Sequence, residues 1–147
     1  MTVVGNYAYA VGDQLDIIDI SNPSNPIFKG NYDIYSGSQI TVVGNYAYIA
    51  GSTGLKIIDI SNPTTPIFRG SYDTYDFVND VQVLGNYAYV ANHGSGLKII
   101  DISNPTTPIL KGSYDTSGYA LGVQVVGNYA YVADYDSGLE IIDISNW

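Results

Sequence analysis

The chain has 147 residues, with 5 Lys and Arg against 14 Asp and Glu and a formal net charge of −9. This length normally makes one domain with a buried core. An acidic chain repels phosphate groups, so the charge argues against nucleic acid and an anionic membrane as partners. The sequence has no cysteine, which excludes disulfides and thiolate chemistry. It also has no apolar run long enough to cross a bilayer, so we expect no membrane insertion.

Two phrases recur four times each, at intervals of about 40 residues. Gly-Asn-Tyr-Ala-Tyr starts at Gly5, Gly44, Gly85 and Gly127. Ile-Ile-Asp-Ile-Ser starts at Ile17, Ile57, Ile99 and Ile141. Between them, Tyr, Ile, Val and Thr favour half-buried strands, Gly, Asn, Pro and Ser favour turns, and no stretch has a convincing helical period. The repeat therefore predicts an all-β fold, a β-propeller with four blades in the chain.

The predicted blades follow one another over residues about 1–38, 39–77, 78–120 and 121–147, as a single propeller domain or as half of a propeller. Within the third blade, strands are predicted at 78–84, 87–91, 97–102 and 109–114. Gly85-Asn86 joins the first two strands as a hairpin turn. The fourth copy stops at Trp147, after its third strand, so the last blade is predicted to lack its outer strand.

Charged residues recur at two positions of the repeat. A carboxylate follows each Ile-Ile pair, at Asp19, Asp59, Asp101 and Asp143. We expect it to accept hydrogen bonds from the turn that follows, because four carboxylates on separate blades could hardly converge on one ligand. Cations lie in the predicted outer strand, at Lys29, Arg69 and Lys111. We interpret them as charges that discourage edge-to-edge pairing of sheets, not as a binding patch.

Leu55-Lys-Ile-Ile-Asp59 and Leu97-Lys-Ile-Ile-Asp101, each preceded by Gly-Asn-Tyr-Ala-Tyr and followed by Ile-Ser-Asn-Pro, resemble the LVIVD-repeat family. The resemblance covers essentially the whole chain. It implies a β-propeller, commonly in bacterial or archaeal proteins that are exported or attached to the cell surface, and it implies no defined enzymatic activity. Two copies depart from the pattern: the first reads Gln14-Leu-Asp-Ile-Ile-Asp19, and the fourth stops at Asn146-Trp147.

The strand count bears on how the propeller closes. The predicted strands leave none to complete the fourth blade, and an isolated array of four blades would expose apolar blade faces to water. We therefore expect two chains to join head to tail as a homodimer that forms a ring of eight blades. The alternative is a closed monomer of four blades, the low end of the usual range for propellers.

The loops after the second and fourth strands of each copy vary in sequence, whereas the other turns are nearly identical. An up-and-down topology places both variable sets on one face of the ring, and this face is aromatic and acidic. We predict that it contacts a protein, a peptide or a glycan, because rigid aromatic side chains suit such ligands. The alternative is that these loops drifted neutrally. The candidate binding residues are Tyr35, Tyr75, Asp76, Phe77, His93, Tyr119, Tyr135 and Asp136.

We predict no catalytic residue, no cofactor and no metal site. His93 is the sole histidine, and no Gly-x-Ser-x-Gly phrase follows a strand and opens a helix. Asp134 and Asp136 lie two residues apart, as calcium ligands can, but no twelve-residue calcium loop surrounds them. Two alternatives stand beside a non-enzymatic scaffold: a fragment or engineered piece of a larger propeller without its own activity, and a hydrolase that uses acidic loop residues near the central channel.

Overall fold

The computed structural model describes residues 1–147 as fifteen strands in four antiparallel sheets. Blade 1 contains β1 (Thr2–Val4), β2 (Tyr7–Val11), β3 (Gln14–Asp19) and β4 (Ile27–Asp33). Blade 2 contains β5 (Gly37–Val43), β6 (Tyr46–Gly51), β7 (Gly54–Asp59) and β8 (Ile67–Tyr72). Blade 3 contains β9 (Asp80–Leu84), β10 (Tyr87–Ala91), β11 (Leu97–Asp101) and β12 (Ile109–Tyr114). Blade 4 contains β13 (Ala120–Val126), β14 (Tyr129–Asp134) and β15 (Gly138–Asp143).

The all-β architecture and the missing outer strand of blade 4 are confirmed. In every sheet the strands pair in chain order, and the fourth sheet ends at β15. In blade 3, β10 and β12 have the predicted bounds, whereas β9 begins two residues later than expected. The reason is that Val78 leaves the ladder: its amide donates to the Gly51 carbonyl of blade 2, at 3.0 Å. No helix is present, and hence none that could span a membrane.

The Gly-Asn turns connect the first two strands of each blade as tight hairpins. In blade 1, Val4 pairs with Tyr7, which leaves only Gly5 and Asn6 in the turn. Gly5 has a φ of 57°, the positive value that a type II′ turn requires at its first central residue. Asn6 then accepts a 2.8 Å hydrogen bond from the amide of Ile20, which ties the hairpin to the end of the third strand.

The aspartate after each Ile-Ile pair holds the following turn, as predicted. In all four blades its Oδ1 accepts the amide of the serine two residues later, at 2.9 Å. In blade 2, hydrogen bonds from Ser61 and then from the Arg69 guanidinium lower the pKa of Asp59 to about 2. These carboxylates are thus engaged with their own turns.

In blades 1 and 2 the outer-strand cation also forms an ion pair with this aspartate, which the sequence analysis did not foresee. Ile17 pairs with Gly30 and Ile18 pairs with Phe28, so Lys29 is the extra residue of a β-bulge. Lys29 Nζ lies 3.2 Å from the Oδ2 of Asp19. Blade 2 repeats the bulge, and an Arg69 nitrogen lies 2.7 Å from the Oδ2 of Asp59. A regular ladder without a bulge would not contain this extra residue.

The core consists of three apolar clusters, each between two consecutive blades. The contact between blades 1 and 2 shows the pattern: Leu15 and Ile17 of β3 are fully buried against Ala47, Ile49 and Ile58 of blade 2. Alternation along each strand explains this, since successive side chains point to opposite neighbours. Every inner blade is therefore apolar on both faces.

The two ends of the array remain uncovered, because no core cluster joins blade 4 to blade 1. We call the exposed side of blade 4, around Leu139 and Ile141, the trailing face. Leu139 is 61% exposed and Ile141 is 58% exposed, although their counterparts in the other blades are at most 1% exposed. We call the exposed side of blade 1, around Ala8 and Ile18, the leading face. These two residues are only half-buried, whereas their counterparts in blades 2 to 4 are buried.

The glycine of each outer strand lies against the turn of the next blade. A Cβ on Gly30 would stand 2.6 Å from the carbonyl oxygen of Pro63, and one on Gly112 would overlap the ring of Trp147. Trp147 follows Ser145-Asn146 as proline follows Ser-Asn in the earlier copies. The indole thus occupies the place that the Pro-Thr turn takes elsewhere.

Candidate binding face

The variable loops lie on one side of the array, as the up-and-down topology predicts. Backbone hydrogen bonds join loops that follow second strands to loops that follow fourth strands. The amide of Ala120 donates to the carbonyl of His93 at 2.9 Å, and the amide of Tyr135 donates to that of Tyr119 at 3.0 Å. We call this surface the loop face; it comprises residues 12–13, 34–36, 52–53, 73–79, 92–96, 115–119 and 135–137.

Three candidate residues adopt positive φ angles, which are uncommon for residues other than glycine. Tyr35 has a φ of 60°, Tyr75 of 58° and His93 of 34°. The Oδ1 of Asp73 accepts the amide of Tyr75 at 2.8 Å and so supports the unusual backbone there. Tyr75 is 93% exposed. Strained backbone of this kind gathers at binding sites and is maintained only where its surroundings require it.

Asp76, His93 and Tyr119 come together from three different loops. The rings of His93 and Tyr119 are stacked, with centroids 4.3 Å apart and planes inclined by 19°. His93 Nδ1 lies 3.9 Å from the Oδ1 of Asp76, which also accepts the amide of Phe77 at 2.8 Å. We call Asp76, His93 and Tyr119 the trio. It presents an aromatic platform flanked by a carboxylate, and sequence spacing alone could not have predicted the contact.

A buried amide side chain directly precedes His93. Asn92 is fully buried, and neither its side-chain oxygen nor its nitrogen has a hydrogen-bond partner within the protein. Unpaired buried amides are rare and destabilising. The sequence analysis missed Asn92. A comparison of the repeats could have identified it, because Asn92 stands where blades 1 and 2 have a glycine, Gly12 and Gly51.

Tyr135 and Asp136 join the loop face beside the trio, and Asp134 organises their loop. Asp134 is buried and accepts three backbone hydrogen bonds at 3.0 Å, from Gly118, Asp136 and Ser137. Desolvation opposes ionisation of Asp134, but these bonds outweigh it and lower its pKa. Tyr135 is 72% exposed, next to Tyr119 through the backbone bond described above.

Tyr35 lies apart from the other candidates, over blade 1. It lines an open groove at the leading end of the array, together with Asp13, Gln14, Asp16 and Asp33. The eight predicted residues therefore form a group on blades 2 to 4 and a separate tyrosine on blade 1. No group of three or more carboxylates or histidines is close enough to hold a metal ion.

The same arrangement of blades occurs in several solved structures. The chain superposes on the crystal structure of the computationally designed Ika4 protein with a TM-score of 0.77 and 11% identity, over 97% of this chain and 88% of that one. The superposition on the computationally designed Ika8 protein has a TM-score of 0.79 and 12% sequence identity, over 99% of this chain and 45% of that one. The superposition on BamB from Moraxella catarrhalis, a β-propeller, has a TM-score of 0.78 and 16% sequence identity, over 99% of this chain and 44% of that one.

These similarities concern the fold, and the chain spans less than half the length of Ika8 and BamB. A search of curated proteins found no match. The LVIVD repeat matches four times, over residues 1–34, 36–74, 77–116 and 117–147, in register with the four sheets. The chain therefore belongs to the LVIVD-repeat family and is built of β-propeller blades.

Proposed function

We propose that this protein is a non-enzymatic scaffold whose blades assemble head to tail, as a homodimer, into a ring of eight blades that presents the loop face to a ligand. The observation that carries the assembly is the exposure of Leu139 and Ile141, whose counterparts are buried between blades. Contiguous apolar surface of this kind marks interaction sites.

The leading and trailing faces are complementary in composition. Within the chain, Leu15 and Ile17 of one blade pack on Ala47, Ile49 and Ile58 of the next. The trailing face offers Leu139 and Ile141 in the same register, and the leading face offers Ala8 and Ile18. Contact between them in two copies would repeat an interface that the chain already uses three times. Superposition of all four blades on less than half of BamB supports the same closure, since the blades curve as they do in longer propellers.

The loop face supports a binding role because its tyrosines are exposed and one of them, Tyr119, is stacked on another ring. Tyr75 and Tyr135 are largely exposed, and the stack on His93 orients the ring of Tyr119. Rigid aromatic side chains give contact area at a low cost in conformational entropy. Neighbouring carboxylates would select hydroxyl-rich glycans or the amides and cations of a peptide. Asp134, with its oxygens engaged by backbone amides, is poorly placed to act as an acid or base.

Absolute mass by light scattering on a sizing column tests the assembly. We expect two chains of 15.8 kDa each for the wild type. Ile141→Asp, on the trailing face, should give one chain, whereas Tyr75→Ser, on the loop face, should leave the mass unchanged. A wild-type mass of one chain would show that the ring of eight blades does not form.

Glycan and peptide arrays test the loop face. The wild-type protein is applied to the arrays and compared with a triple variant that carries Tyr75→Ser, Tyr119→Ser and Tyr135→Ser. The triple variant should have the same thermal stability as the wild type, so that a loss of binding does not reflect unfolding. We expect the wild type to bind a subset of the array and the variant to lose that binding. Retention of all binding by the folded variant, or no binding by the wild type, would contradict a binding role for this face. The mass of the assembly is a separate readout, so the two halves of the proposal can fail independently.

A further inference from the structure

We propose that the loop face binds a basic peptide, with an arginine side chain of that peptide held over the ring of Tyr119 between Asp76 and Asp136. This inference rests on the binding role proposed above for the loop face, and it narrows the ligand to one chemical class. Three features of the face point to such a ligand: the distribution of charge, two carboxylates beside Tyr119, and one buried amide.

Charge is distributed unevenly between the loop face and the strands. The loop face contains no lysine or arginine but five aspartates, which are Asp13, Asp73, Asp76, Asp115 and Asp136. The five Lys and Arg residues of the chain all lie in strands. One of them, Lys56, reaches the loop face over blades 1 and 2, where it donates to the carbonyl of Ile34. The loop face is therefore negative around Tyr119, and it attracts cationic ligands and repels anionic ones.

Two carboxylates lie beside the ring of Tyr119. A Cβ on Gly94 would lie 3.6 Å from the Oδ2 of Asp76 and 3.7 Å from Cε1 of Tyr119, so this carboxylate and the ring meet at one glycine. A Cβ on Gly118, the residue before Tyr119, would lie 2.9 Å from the Oδ2 of Asp136. No lysine or arginine forms an ion pair with either carboxylate. Both are therefore available to a cation that enters from outside.

The ring of Tyr119 offers a surface to that cation. His93 stacks on one face of the ring, with centroids 4.3 Å apart, and Tyr119 is 46% exposed. The planar guanidinium of arginine stacks on aromatic rings and at the same time donates hydrogen bonds to carboxylates. A neutral sugar could stack on the same ring, but it would leave the negative charges of Asp76 and Asp136 uncompensated.

The buried amide of Asn92 favours a peptide over a free cation. This side chain is fully buried, and both its donor and its acceptor lack partners. Its counterpart in blade 4, Asp134, accepts an amide of the loop that precedes that blade, so Asn92 holds the matching position beside residues 73–79. A peptide backbone supplies both an N–H and a C=O group, whereas a metal ion has no donor. Because Asn92 directly precedes His93, a shift of this loop on binding would bring the amide to the peptide.

The experiment measures the anisotropy of a fluorescent peptide, Gly-Arg-Gly-Arg-Gly-Tyr, against the full chain. A matched peptide carries glutamine in place of both arginines. We expect saturable binding of the arginine peptide, and we expect the glutamine peptide to bind about fivefold more weakly or less, because it can neither stack as a cation nor form an ion pair.

Three substitutions locate the site, and a fourth is the control. Asp76→Asn and Asp136→Asn should each weaken binding of the arginine peptide about two- to fivefold. Tyr119→Leu, which keeps an apolar side chain but removes the aromatic face, should have an effect of similar size. Asp16→Asn, on β3 of blade 1, removes the same charge away from Tyr119 and should leave binding unchanged. Equal melting temperatures will show that the variants are folded.

Two results would overturn the choice of ligand. One is equal binding of the two peptides. The other is an equal loss of binding in Asp16→Asn and Asp76→Asn, which would indicate attraction to the net charge alone. If the loop-face tyrosines bind a neutral glycan on the arrays and the arginine peptide is not bound, the ligand class is wrong and the binding role of the loop face stands. If neither is bound, both are wrong.

Discussion

Ile57 and Ile141 occupy the same position in two blades, and we expect their truncation to reveal the ring. Ile57 is fully buried between blades 2 and 3, whereas Ile141 is 58% exposed on the trailing face. Ile57→Ala should lower the free energy of unfolding by about 2–5 kcal/mol, because it leaves a cavity in the core. For Ile141→Ala, the effect depends on whether a second copy covers the side chain.

The magnitude follows from the exposed fraction. Full burial of an isoleucine side chain is worth about 1.5–3 kcal/mol, so covering the exposed part of Ile141 should add about 1–2 kcal/mol. Dimerisation follows mass action, so this increment should appear only at high protein concentration. Ile57→Ala should cost the same at every concentration.

Urea unfolding of both variants and the wild type, at about 1 μM and about 100 μM chain, measures the difference. We expect the destabilisation by Ile141→Ala to grow by about 1–2 kcal/mol between the two concentrations. If the wild type has a mass of two chains yet Ile141→Ala shows no such growth, the copies do not meet through the trailing face.

Two further predictions concern the frame. Gly30→Ala should destabilise the chain by about 1–3 kcal/mol in thermal unfolding, because its Cβ would stand 2.6 Å from the Pro63 carbonyl oxygen. Gly12→Ala is the control: a Cβ there meets open space, so its effect should stay within about 0.5 kcal/mol, and equal effects of the two substitutions would refute the close approach. The pKa of Asp59 is lowered to about 2 in the fold, so its contribution to stability is complete above the unfolded value near 4 and is lost as pH falls from about 4 to about 2. Urea unfolding across this pH range should therefore show that the stability of Asp59→Asn declines less steeply with falling pH than that of the wild type. If the two plots of stability against pH run parallel, the lowered pKa of Asp59 is contradicted.

The frame could be predicted closely because its determinants are local. Tyr87–Ala91 alternates between two apolar faces, and Gly85 provides the positive φ of its turn, so the second strand of blade 3 was predicted with the observed bounds. The aspartate turns could be predicted for the same reason, since Asp101 and Ser103 lie two residues apart. The start of β9 was wrong because Val78 donates its amide to another blade, a contact outside any local pattern.

The sequence by itself thus determined the repeat, the strands, the vacant fourth strand of blade 4 and the side of the array on which the variable loops lie. Only the tertiary structure decided that His93 stacks on Tyr119 beside Asp76, that Asn92 is buried without a partner, and that the bulges bring Lys29 and Arg69 to their aspartates. The physical reason is the range of the interactions. Hydrogen-bonded turns and side-chain alternation are set by neighbours in the chain, whereas the trio depends on three loops, with strained backbone at His93, whose relative positions are fixed only when the blades pack.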